Sequence, residues 1–83
     1  MQLLYFGWVK QRIGIDKETV ALPAHVTDVR GLIGWLNARG PKYQDALKNL
    51  GSLRVAVNQE LTDLDAKLRD GDEVALFPPM TGG

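Results

Sequence analysis

The chain has 83 residues, with ten basic side chains against ten acidic ones and no cysteine. That length allows one domain, which buries roughly 60–65 % of the surface its unfolded form exposes. Balanced charge argues against a nucleic-acid face or a polybasic membrane anchor, and the missing cysteines exclude disulfides, thiolate metal sites and thiol nucleophiles.

The opening "QLLYFGWV" is aromatic and branched-apolar, and predicts a strand from Gln2 to Val9. "KQRIGIDKE" supplies turn material around Gly14 and Asp16. A second strand is expected near Thr19 to Leu22, closed by Pro23, so the first two strands read as an antiparallel hairpin. In "TDVRGLIGWLNARGP" the period changes: Val29, Leu32, Ile33 and Leu36 fall at i, i+3, i+4 and i+7, one face of a helix. Thr27 or Asp28 can cap it, and Gly40-Pro41 stops it. Gly31 and Gly34 each cost about 1 kcal/mol against alanine inside a helix, which suggests close packing on a sheet.

A shorter helix from Lys42 to Leu50 puts Tyr43, Leu47 and Leu50 on one side. "LRVAVN" alternates and predicts a strand from Leu53 to Val57, followed by an Asn58-Gln59 turn and a short paired stretch at Glu60 and Leu61. "TDLDAKL" fits a single turn. "RDGDEVALFP" gives the clearest strand signal, entered through the Asp70-Gly71 turn. The order is β-β-α-β-β, with the first and last strands central and parallel. This is an α+β fold: a mixed sheet of four to five strands, one main helix on one face and a second short helix. The domain is expected to span residues 1–77, with 78–83 as an extended, flexible tail.

Most candidate chemistry fails on inspection. His25 is the only histidine and has no evident partner. Asp63/Asp65 and Asp70/Asp72 read as turn aspartates, not as a calcium loop. No phosphate-binding glycine pattern occurs, so no metal site, bound cofactor or active site of the chain's own is expected. With no 18-residue apolar stretch, and an apolar run ahead of the first basic residues in place of a signal peptide, a cytoplasmic location is expected.

The end of the sequence, "ALFPPMTGG", is different. Pro78 and Pro79 cannot continue a central strand and hold the chain extended. From Pro78 to Gly83 the chain reaches at most about 17 Å beyond the sheet. Gly82 and Gly83 carry no Cβ and can thread a narrow channel. A carboxylate on Gly83 is ionised at neutral pH and can attack the α-phosphate of ATP, and the resulting acyl-adenylate can accept sulfur or an amine. The ATP site must then belong to a partner.

"AVN", "DGDEVA" with "FPP", and the terminal "GG" closely resemble the small subunit of molybdopterin synthase, the MoaD-type sulfur carriers. The likeness covers essentially the whole chain, with "LLYFGWVKQRIG" a looser match to that family's first strand and turn. One departure is Lys10-Gln11, where the family commonly carries an Arg-Glu pair. The resemblance implies a ubiquitin-like β-grasp fold. It implies that Gly83 is adenylated by an E1-like enzyme using ATP, converted to a thiocarboxylate by a sulfur donor, and inserted into the large synthase subunit. There it would give sulfur to cyclic pyranopterin monophosphate, forming the dithiolene of the molybdenum cofactor. Such a chain is a sulfur donor without catalysis of its own, in a heterotetramer with one small subunit at each end of a large-subunit dimer. Gly82, Thr81 and Met80 would thread the partner's active site.

On the last strand Val74 and Leu76 point one way, Ala75 and Phe77 the other. Phe77 is therefore a docking candidate or packs on the second helix; Pro78, Pro79 and Trp8 are further docking candidates. Trp35 is expected at the core edge. Two alternatives use the same terminal chemistry: the sulfur carrier of thiamine biosynthesis, and a modifier joined to lysines through Gly83. A β-grasp adaptor with an inert tail is the third.

Overall fold

A computed structural model describes residues 1–79; the Met80, Thr81, Gly82 and Gly83 expectations lie outside the described residues. The elements in order are β1 (Gln2–Tyr5), α1 (Gly7–Ile13), β2 (Lys17–Thr19), α2 (Val29–Asn37), α3 (Pro41–Leu47), a 3-10 turn (Leu50–Ser52), β3 (Arg54–Val57), β4 (Glu60–Thr62) and β5 (Glu73–Phe77). They form one five-stranded sheet in the order β2-β1-β5-β3-β4. β1 and β5 lie side by side and parallel, and the other neighbours are antiparallel. This is the β-grasp arrangement, with the two most apolar strands at its centre.

The first strand is shorter than its composition suggests. Alternation holds through Leu3 and Tyr5, both fully buried, and stops at Phe6. Gly7 then takes φ +57°, which breaks the extended path, and Val9 and Ile13 recur four apart as the buried side of α1. Gly14, at φ 96°, caps that helix in the left-handed conformation and donates its N–H to the Lys10 carbonyl. The expected Gln2–Val9 strand is thus a strand followed by a helix, and the expected hairpin has α1 in its turn. Lys10 and Gln11 sit on this helix, exposed.

β2 also falls earlier than expected, at Lys17–Thr19. The Val20 amide still bonds the Met1 carbonyl at 2.9 Å, but Val20 and Leu22 then turn to pack against the core instead of extending the ladder. The expected helix from Lys42 to Leu50 ends at Leu47; Leu50 belongs to the 3-10 turn and still packs on the core. Tyr43 and Leu47 are buried as their spacing requires.

In α2 all four spaced residues, Val29, Leu32, Ile33 and Leu36, are buried, and the Asp28 carboxylate caps the helix by accepting the Gly31 N–H at 2.7 Å. Gly31 earns its place locally: a Cβ there would come within 3.0 Å of that same Asp28 oxygen. Gly34 does not fit the close-packing expectation. It is exposed, and a Cβ would meet nothing within 4 Å. Gly34→Ala should therefore stabilise the fold by roughly 0.5–1 kcal/mol, seen as a higher melting midpoint. An unchanged or lower midpoint would show that Gly34 has a packing role after all.

Candidate functional site

The helices cover one face of the sheet. Leu3, Tyr5, Val55, Val74 and Leu76 point into that layer and are almost wholly buried. Because residues paired across a ladder share a face, the register identifies what lies on the other side. Leu4 pairs with Ala75, Ala75 with Ala56, and Ala56 with Leu61. These four residues form an apolar row across four strands on the uncovered face. The two alanines make its middle shallow, and Leu61 at its edge is 71 % exposed.

Phe77 lies on the same face, one pairing further along, opposite Arg54. It is half-buried and outside the core cluster, on the face opposite Leu76, so the register does not turn it towards the second helix. Phe6 follows Tyr5 in extended backbone, and alternation turns it to the face of Phe77. The Phe6 N–H donates to the Leu76 carbonyl at 3.1 Å, and its ring is 50 % exposed. Two phenylalanines therefore flank the point where Pro78 and Pro79 leave the sheet. Apolar side chains exposed together on one sheet face are the kind of surface that docking partners use, which makes this face the candidate site.

Trp8 is placed differently. It sits on α1 with its ring packed against the core and the Arg12 guanidinium 4.9 Å from the ring centroid. Trp35 is likewise at the core edge, with Arg39 over its ring. His25 is exposed. Among the described residues no group of three or more His, Asp or Glu side chains could hold a metal ion, and no helix is long and apolar enough to cross a membrane.

Two functional-looking motifs turn out to be structural. The Asn58-Gln59 turn takes φ 52° and 70°, the left-handed pair of a tight hairpin. Asn58 then ties this turn to the start of β5. Its amide donates to the Glu73 carbonyl at 2.8 Å, its Oδ1 accepts the Glu73 N–H at 3.1 Å, and its Nδ2 donates to Asp72 at 3.1 Å. The backbone N–H of Arg69, and then the Asn58 side chain, hold the Asp72 carboxyl below its ordinary value. "AVN" and "DGDEVA" are thus one clamp that fixes where β5 begins.

The strongest electrostatic cluster is also structural. Glu18 of β2 lies opposite Leu3 and accepts hydrogen bonds from the Tyr5 hydroxyl at 2.7 Å, the Tyr43 hydroxyl at 2.9 Å and the Arg39 guanidinium at 2.9 Å. Burial alone would raise its carboxyl, but the donors from Tyr5, Arg39 and Tyr43 outweigh it and hold Glu18 below its ordinary 4.5. Burial, reinforced by Glu18, pushes the Tyr5 and Tyr43 hydroxyls up. A carboxyl lowered in the folded state stabilises above its unfolded pKa, and that contribution is lost as pH falls through the folded value. The melting midpoint should therefore begin to fall near pH 4.5 and below. Glu18→Gln should melt lower at pH 7 and show a shallower acid decline. An acid limb of unchanged steepness would remove Glu18 from this role.

Sequence reasoning missed Phe6, Leu61 and the Leu4-Ala56-Ala75 row. Strand alternation carried the signal for Leu4 and Ala75, but the row emerges only with the register.

The family model described as the ThiS family matches residues 3–83. The chain belongs to the ThiS family. It is 41 % identical over 83 residues to the molybdopterin synthase sulfur carrier subunit of Escherichia coli (strain K12), covering 100 % of this chain and 99 % of the relative. Among solved structures it is similar to a protein named for molybdopterin converting factor subunit 1 from Pyrococcus furiosus. The TM-score is 0.75 and the identity 30 %, with 95 % of each chain covered. A complex of subunits 1 and 2 of the molybdopterin-converting factor from Helicobacter pylori 26695 contains a chain that matches at TM-score 0.64 and 27 % identity. That match covers 99 % of this chain and 96 % of the other. This ThiS-family chain shares its overall fold with the two solved structures over nearly its whole length.

Proposed function

We propose that this ThiS-family protein is the sulfur carrier subunit of a molybdopterin synthase. The observation that carries this reading is the full-length likeness to the E. coli sulfur carrier subunit, which extends through the terminal Gly-Gly. That likeness favours it over a thiamine carrier or a lysine-linked modifier.

The Gly83 carboxylate attacks the α-phosphate of ATP held by an E1-like enzyme. Pyrophosphate leaves, and an acyl-adenylate forms. A sulfur nucleophile then displaces AMP and leaves a thiocarboxylate on Gly83. The large subunit receives the Met80-Thr81-Gly82-Gly83 segment, and sulfur passes to cyclic pyranopterin monophosphate. Two charged chains serve each dithiolene, which suits a heterotetramer with one small subunit at each end of a large-subunit dimer. The Helicobacter pylori complex of subunits 1 and 2 supports a large-subunit partner. Its docking surface is the uncovered face, with Phe77, Phe6 and Leu61 as apolar anchors and Pro78 and Pro79 beside them.

Reconstitution tests the reading. The charged chain with a large subunit should convert cyclic pyranopterin monophosphate to the dithiolene product, and the uncharged chain should not. Equal conversion by both would refute it.

A further inference from the structure

The root of the C-terminal segment is held by a contact that the proposed chemistry does not itself require. β5 ends at Phe77, and the ring of Pro78 lies against the backbone of Gly7 at the start of α1. A Cβ on Gly7 would stand 2.6 Å from Pro78 Cγ and 2.8 Å from Pro78 Cδ. A proline ring is stiff and cannot swing aside as a lysine tip would. Gly7 also has φ +57°, a conformation that L side chains rarely adopt. Two independent constraints therefore select glycine here. The adjacent bond from Phe6 N–H to the Leu76 carbonyl fixes the same junction from the sheet side.

We propose that Gly7 is a positioning residue: it seats the Pro78 ring and so sets the direction in which the chain leaves the sheet towards its reactive end. The inference rests on the sulfur-carrier reading and deepens it. Pro78 has no N–H to donate to the ladder and lies one residue past the end of β5, so its packing on Gly7 is what orients the ring. A chain end that must reach a partner's active site loses rate when its root is turned, because small misplacements far from the reacting atoms cost up to about a hundredfold.

The test is a double-mutant cycle with Gly7→Ala, Pro78→Ala and the two combined. Melting midpoints and kcat/KM for thiocarboxylate formation are measured well below every midpoint, with NMR contacts between residue 7 and the Pro78 ring. Gly7→Ala should lose the wild-type contact pattern and lower kcat/KM by about tenfold while staying folded. The double variant should be no slower than Pro78→Ala alone, since the added methyl enters space the ring has vacated.

Wild-type kcat/KM in Gly7→Ala, or a double variant slowed by the product of the single losses, would overturn the proposal. A purely structural Gly7 would lower the midpoint and leave kcat/KM unchanged. If Gly7→Ala does not fold, Pro78→Ala carries the test. It should keep its midpoint and lose kcat/KM, and wild-type kcat/KM there is the contrary result. The wild-type chain is the control: its failure to be charged rejects the sulfur-carrier reading itself.

Discussion

Deleting Gly83 leaves the melting midpoint unchanged and abolishes thiocarboxylate formation. The first half follows from the position of the core. Among the described residues the eighteen buried hydrophobic ones end at Leu76, and the last strand closes at Phe77, six positions before the deletion. The second half follows from the proposed chemistry. In the truncated chain the terminal carboxylate sits on Gly82, one residue and roughly 3.3–3.6 Å short of the α-phosphate it must attack. Proximity of the reacting atoms supplies about 7–11 kcal/mol of barrier lowering in well-oriented reactions, and a shift of that size forfeits most of it. A drop in the melting midpoint would make the segment structural. Undiminished charging would mean that the reactive carbonyl is not that of Gly83.

Phe77→Asp weakens binding to the large subunit by about 2–4 kcal/mol, or roughly 30- to 1000-fold, with little change in stability. Phe77 is half-buried and lies outside the core cluster, so a carboxylate there stays hydrated in the free protein. If the proposed face is the one that docks, the carboxylate is desolvated on binding and the penalty appears in the affinity. Leu61→Asp, at the far end of the row, should act in the same direction with a smaller effect because it sits nearer the rim. Titration calorimetry with the isolated large subunit reads both. If Phe77→Asp binds as tightly as the wild type, the uncovered face is not the docking surface.

The fold was legible in the sequence where hydrophobic period and turn chemistry agreed. Val29, Leu32, Ile33 and Leu36 gave α2 with its Asp28 cap, and "DGDEVALF" gave β5 and its central place. The start of the chain was less legible. "QLLYFGWV" is an unbroken apolar run, and such runs do not separate strand from helix. What divides it is the left-handed turn at Gly7, where the backbone packs against the Pro78 ring from the other end of the molecule. The clamp from Asn58 to Asp72 was hidden for the same reason, since its two motifs are fourteen positions apart.

The candidate site divides along the same line. A glycine pair after two prolines is a local pattern that a single sequence displays, and so is Phe77 on the alternate face of β5. Leu61 looked unremarkable because its meaning lies in the register: it stands at the end of a row built by three neighbouring strands.

The most direct measurement is the intact mass of the chain after incubation with its E1-like enzyme, ATP and a sulfur donor. Exchange of one Gly83 carboxylate oxygen for sulfur should raise the mass by about sixteen daltons, and the gain should be absent when the terminal carboxylate is capped as an amide. An unchanged mass in the free-acid chain, under conditions that charge the E. coli carrier, would contradict the account.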